Sequence, residues 1–174
     1  MSSKECDLRS REQTSALFER LRPTYVVHLA ARVGGLFANM KDKVGFYEDN
    51  MQINLNVLHS SHKQGVKRVL SALSTCIFPD GIGSLMTEAD IHKGAPHPSN
   101  EGYAYAKRML EMHSRLYGEQ HNLDFRCFVP TNLYGPHDQY NEGSHVVADL
   151  IQKAHKAHSD NDVLTVMGTG KPLR

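Results

Sequence analysis

Tyr103 and Lys107 stand four residues apart in the run Tyr-Ala-Tyr-Ala-Lys, one turn along one face of a predicted helix. An ammonium beside a phenol favours the phenolate, so such a pair is suited to acid–base work nearer neutral pH. With 7 Tyr and 10 Lys among 174 residues, the spacing also arises by chance and needs context. Ser74 supplies it: at the end of a predicted strand ahead of the tyrosine helix, its hydroxyl is placed to hydrogen-bond a substrate carbonyl. Cys76 follows two residues later, on the same side of an extended strand end, where by type alone it also reads as a small buried hydrophobe. His59-x-x-His62 and His155-x-x-His158 each place two imidazoles on one helix face. Neither has an acidic or thiol partner at a recognisable spacing, so solvated faces are expected and no metal.

The elements that must hold these groups alternate along the chain. Ser10-Arg-Glu-Gln13 has capping-box form, followed by Ala16, Leu17, Phe18 and Leu21 before a stop at Pro23. Tyr25 to Ala31 is a short, largely apolar run closed by Gly34-Gly35, the pattern of a strand buried on both faces. A second helix is predicted over 44–64, ending at Gly65, and the buried-strand pattern returns from Arg68 to Ser74. A Gly- and Pro-rich loop from Pro79 to Pro98 leads to a helix over 99–119, a strand from Phe125 to Val129, a helix from Val146 to His158 and a strand from Val163 to Val166. This alternation predicts an α/β fold, a Rossmann-like parallel sheet with helices on both faces. Ligands of such sheets sit beyond the carboxyl ends of the strands, here Ala30-Ala31, Ser74 to Cys76, Pro130 to Asn132 and Met167-Gly168.

Composition narrows the partners. Forty per cent hydrophobic and 22% charged residues, with 13 Gly and 7 Pro, describe one ordinary globular domain. A net charge of +1 without blocks of like charge gives no reason to expect nucleic acid or an anionic membrane, and favours a small or locally charged ligand. The 3 cysteines are an odd number with no C-x-x-C, which fits reduced thiols and a cytoplasmic location. The first twenty residues hold no signal-like apolar run, and no uncharged stretch approaches the ~18 residues of a bilayer span.

Ser74, Tyr103 and Lys107, in that order on a βαβ scaffold, resemble the catalytic group of the short-chain dehydrogenase/reductase superfamily. Within it, Leu29 to Gly35, Leu73-Ser-Thr-Cys-Ile-Phe-Pro79, Tyr103 to Lys107, Pro130 to Asp138 and Ser144-His-Val146 occur in order and resemble the GDP-L-fucose synthase family over nearly the whole chain. The resemblance implies removal and return of protons at the two carbons flanking a C4 ketone of a GDP-sugar, followed by NADPH-dependent reduction of that ketone. It implies Ser74 and Tyr103 as donors to the enolate oxygen, Cys76 and His145 as the groups that exchange protons, and Lys107 as the residue that holds the nicotinamide ribose and keeps Tyr103 acidic. Asp7 and Leu8 match the adenine contacts, Ala30, Leu73, Ser74 and Pro130, Thr131, Asn132 and Leu133 the cofactor lining with His145, and Lys153, Met167 and Arg174 the substrate contacts. A homodimer through the helices at 44–64 and 99–119 is implied as well.

The chain departs from this pattern in two places. No G-x-G-x-x-G stands at a strand-to-helix turn, since Gly81-Ile-Gly83 and Gly168-Thr-Gly170 do not complete it, and Met167 occupies the usual Trp position. The expectation is a partial dinucleotide-binding domain over 1–166 and the beginning of a substrate region over 167–174, from a truncated product with impaired catalysis by itself. The alternatives are a non-catalytic dimerising or regulatory paralogue, or another nucleotide-sugar epimerase or dehydratase.

Overall fold

Ser10 starts helix α1 (Arg11–Leu21) by accepting the Gln13 N–H at 3.2 Å. The Gln13 side chain reaches past Ser10 to the Asp7 N–H at 3.0 Å, so the predicted capping box closes further back than its simplest form. The helix ends at Arg22, whose left-handed φ of 44° precedes a proline that has no N–H to continue the ladder. The computed structural model describes residues 4–83, 85–138, 140 and 144–166.

Three parallel strands follow in spatial order β1 (Tyr25–His28), β2 (Arg68–Ala72) and β3 (Asp124–Phe128). Val26, Val69 and Phe125 share one row of the register and His28, Ser71 and Cys127 another. Both rows lie on one face, because strand side chains alternate. Short helix α2 (Leu36–Lys41) and long helices α3 (Lys43–Lys63) and α4 (Glu101–His121) complete the connections. Phe18, Val57, Leu58, Val69, Leu110 and Phe125 join α1, α3, α4 and the sheet in one core.

The Rossmann-like parallel sheet follows the sequence expectation, with one difference in how it is covered. Among α1, α3 and α4 the helices lie against a single face of the sheet: Val27 on the other is 63% exposed, and Leu70 and Phe128 are 36% exposed. The β1 strand is therefore not buried on both sides and stops at His28. The reason is the path of the chain, since two right-handed crossovers stepping the same way along a sheet place both helices on the same side.

The chain divides into two compact units, Met1–Asn132 and Leu133–Arg174. The division falls inside the expected 1–166 domain, at the end of the Pro130 to Leu133 run. In the second unit α5 (Val146–Asp160) starts at His145 and ends at Asn161 in a left-handed conformation. Residues 163–166, expected to be a strand, form none; apolar β-branched residues make a strand only with a ladder partner, and none is found among the described residues. Met167 and Arg174 lie outside the described residues.

Candidate active site

Helices α3 and α4 approach closely at the start of α4, where a Cβ on Gly102 would collide with the Lys43 carbonyl oxygen. The next residue is Tyr103, so this close crossing fixes the first turn of the tyrosine helix. One turn on, Asn54 of α3 reaches both neighbours. Its Nδ2 donates to the Ala106 carbonyl at 3.3 Å and its Oδ1 lies 3.0 Å from His28 Nε2. With Oδ1 as acceptor, His28 must carry its proton on Nε2. Burial, only partly opposed by this bond, lowers the His28 pKa to about 4, so the imidazole is neutral.

Lys107 is 2% exposed and donates from Nζ to the Ala72 carbonyl oxygen at 2.7 Å. Burial pulls its pKa down to about 8, against the opposing pull of Cys76 and Cys127. Its Nζ lies 5.9 Å from the centre of the Tyr103 ring. Burial pushes the Tyr103 phenol above its ordinary value, and Cys76 adds to the rise. The expected acidification of Tyr103 by Lys107 is thus absent here: desolvation of the phenolate prevails. In this state the phenol keeps its proton at neutral pH and is a proton donor.

Ser74 and Cys76 arrive by a different route from the one expected. Beyond Ala72 the chain turns into a 3-10 turn over Thr75–Ile77, with Ser74 as its N-cap. Cys76 is therefore in a turn and not on an extended strand end, yet the turn brings its thiol within hydrogen-bond reach of the Ser74 hydroxyl. Burial raises the thiol pKa; the Ser74 bond and the Lys107 charge oppose the rise. Ser74, Cys76, Tyr103 and Lys107 thus converge at the carboxyl end of β2.

The cofactor-lining candidates divide. Leu73 is buried beside this group, and Ala30 is half-buried in the segment after β1. That segment is tied down by Asn50 of α3, which accepts the Arg32 N–H and donates to the Arg32 carbonyl, both at 3.0 Å. Asp7 is already engaged: Arg9 binds its carboxylate through Nε at 3.0 Å and Nη2 at 2.8 Å, which holds the carboxyl below its usual range. Leu8 packs on the core. Pro130 is half-buried, and Thr131 and Asn132 are exposed beyond β3. In the second unit, taken by itself, Leu133 is 77% exposed, His145 is an exposed residue at the N-cap of α5, and Lys153 pairs with Asp149 at 2.6 Å.

A strand end carrying serine, with tyrosine and lysine one turn apart on the following helix, is the arrangement these findings set beside known proteins. The model of the NAD dependent epimerase/dehydratase family matches residues 2–174. The chain belongs to that family. Among its members, a GDP-L-fucose synthase of Dictyostelium discoideum is 54% identical over 175 residues, covering 100% of this chain and 55% of that protein. A probable GDP-L-fucose synthase of Drosophila melanogaster is 46% identical, covering 99% and 56%. A crystal structure of a GDP-L-fucose synthetase from Naegleria fowleri bound to NADP superposes with a TM-score of 0.90 at 48% identity, covering 100% of this chain and 57% of that one. The chain spans about half the length of the relatives it matches. As an epimerase/dehydratase-family site, the group at β2 fits a nicotinamide ribose: of the three donors on the Lys107 ammonium, one goes to Ala72, leaving two for hydroxyls.

Sequence reasoning did not single out His28, Asn50 or Asn54. The signal was present, because Asn50 and Asn54 interrupt the apolar face of α3 at i,i+4 spacing, where a polar side chain must have a buried partner. Which partner it has depends on elements far away in sequence.

Proposed function

We propose that this chain carries the catalytic residues of a GDP-L-fucose synthase acting on GDP-4-keto-6-deoxymannose with NADPH as the reductant, and that catalysis by the chain alone is impaired, since it carries no G-x-G-x-x-G turn. The reading is supported most by one observation: Ser74, Cys76, Tyr103 and Lys107 gather at the carboxyl end of β2 in a chain so similar to named synthases. Ser74 and Tyr103 donate hydrogen bonds to the C4 oxygen as it gains charge, which makes the hydrogens on the flanking carbons acidic. Cys76 and His145 remove and return those protons, each side chain carrying an atom that can hold or release one. Bound NADPH supplies the hydride that reduces the C4 carbonyl. Tyr103 gives its proton to the resulting alkoxide, and Lys107 holds the ribose. The family resemblance assigns Asp7, Leu8, Ala30, Leu73 and Pro130 to Leu133 to the cofactor, and Lys153, Met167 and Arg174 to the GDP-sugar.

We further infer a homodimer through α3 and α4. Leu55 is 45% and Leu116 44% exposed, and with Met51, Met109 and Met112 they border a groove of about 180 Å³ between the two helices. A cytoplasmic location is supported by three free cysteines. No helix among the described residues is long and apolar enough to cross a membrane.

The test is direct. The purified chain is incubated with GDP-4-keto-6-deoxymannose and NADPH in deuterated water. Slow entry of deuterium at C3 and C5, with slow loss of NADPH absorbance, is the expected result. A chain that dimerises but shows neither event is instead the non-catalytic paralogue, and exchange confined to other carbons identifies another nucleotide-sugar enzyme.

A further inference from the structure

Arg108 follows Lys107 on α4 and is 3% exposed. A buried guanidinium stays charged and ordinarily pairs with a carboxylate. Arg108 has no ion pair among the described residues and spends its donors on backbone. Its Nε donates to the Ile77 carbonyl at 2.6 Å and its Nη1 to the Gly94 carbonyl at 2.7 Å, while its Nη2 is buried without a partner. Ile77 closes the turn that carries Cys76, and Gly94 belongs to the loop that runs from Pro79 to Pro98. The planar fork of an arginine holds two carbonyls in fixed relative positions, which a flexible lysine does not.

We infer that Arg108 is a positioning residue: its guanidinium clamps the Cys76 turn and the loop at Gly94 to the helix bearing Tyr103 and Lys107, and so sets where the thiol stands against them. The Ser74 hydroxyl and the charges of Lys107 and Arg108 act on the thiol against the effect of its burial. Without the clamp, the turn has the Ile77 N–H to Ser74 bond at 3.2 Å and the Phe78 N–H to Thr75 bond at 3.3 Å, both long. The loop has the Asp80 N–H to Ala95 bond at 2.9 Å. The clamp is a property of the fold; its consequence for proton exchange rests on the proposed function.

The experiment compares the chain with its Arg108→Met and Arg108→Lys variants by amide hydrogen exchange and by turnover. Removal of the fork in Arg108→Met is expected to speed exchange at the Ile77, Phe78 and Asp80 amides ~10-fold or more, with β2 and β3 unchanged. Arg108→Lys, which keeps the cation but lacks the planar fork, is expected to fall between them. With substrate, deuterium incorporation at the flanking carbons is expected to drop ~10- to 100-fold in Arg108→Met, as for a catalytic group displaced by about 1 Å. Reduction of an already epimerised ketone is expected to drop far less. Wild-type exchange at those three amides in a folded variant, or equal acceleration everywhere, overturns the clamp. A wild-type chain that labels no sugar overturns the function reading instead and leaves the amide result standing.

Discussion

The Lys107 ammonium donates a 2.7 Å hydrogen bond to the carbonyl oxygen of Ala72, the last residue of β2. The bond joins the tyrosine helix to the strand end at the point where the chain turns toward Ser74 and Cys76. It also keeps a cation in a buried place, and that has a thermodynamic signature.

Folding lowers the Lys107 pKa to about 8, so between that value and its unfolded value near 10.4 the unfolded chain binds more protons. Stability from this group therefore rises as pH climbs from about 8 to about 10, by up to ~3 kcal/mol at ~1.36 kcal/mol per unit. Cys76, Cys127 and Tyr103, all pushed upward, act in the opposite direction. The difference between wild type and Lys107→Met isolates the lysine. Urea unfolding at pH 7, 8, 9 and 10 is expected to show wild type gaining on the variant across that range, and a constant difference would contradict it.

His28 gives the acid-side counterpart. Its folded pKa of about 4 lies below the ordinary 6.5, so the unfolded chain takes up a proton first as pH falls. The contribution is complete above about 6.5 and is lost progressively toward 4, amounting to ~3 kcal/mol at most. In His28→Gln, the stability curve between pH 6.5 and 4.5 is expected to flatten. Carboxylates held low by neighbours, such as Asp90 at about 2, act below this window. Chemical denaturation as a function of pH reads the slope; equal slopes in both proteins would mean that His28 is not the titrating group.

Gly102→Ala separates helix propensity from packing. At a free helical site alanine stabilises by ~1 kcal/mol over glycine. At Gly102 the new Cβ meets the Lys43 carbonyl oxygen, a backbone atom with little room to give. The variant is expected to lose ~1–3 kcal/mol, the range for overpacking, and to lower the melting temperature. A rise in melting temperature would show that α3 and α4 separate freely at this crossing.

The two proposed chemistries separate by substitution. Tyr103→Phe is expected to lower NADPH oxidation by ~10²–10⁴-fold, the usual range for a lost general acid, while deuterium still enters the sugar, more slowly because one of the two donors to the C4 oxygen is gone. Cys76→Ser is expected to suppress deuterium incorporation to a similar extent and to spare reduction of an epimerised ketone. Equal loss of both steps in both variants would remove the assigned division of labour.

Much of this arrangement was readable from local pattern. The period changes placed α1, α3, α4, α5 and three of four strands, and the order Ser74, Tyr103, Lys107 already pointed to the carboxyl end of the strand at 68–72. These features depend on neighbours in sequence, where caps, glycines and apolar spacing act directly. Residues 163–166 carried the same apolar signal and formed no strand, because a ladder needs a partner that local pattern does not supply.

The sequence by itself determined the alternation of strand and helix and the identity of the candidate reactive groups. Tertiary structure decided their state: Lys107 buried with its pKa lowered, Tyr103 held protonated, Cys76 turned toward Ser74, and Asp7 paired with Arg9. It also decided which polar residues would be buried, joining His28 to Asn54 across 26 positions and Arg108 to Ile77 across 31. Desolvation and hydrogen bonding act through space on whatever the packing brings near, so these properties arise only when α3, α4 and the sheet close on one another.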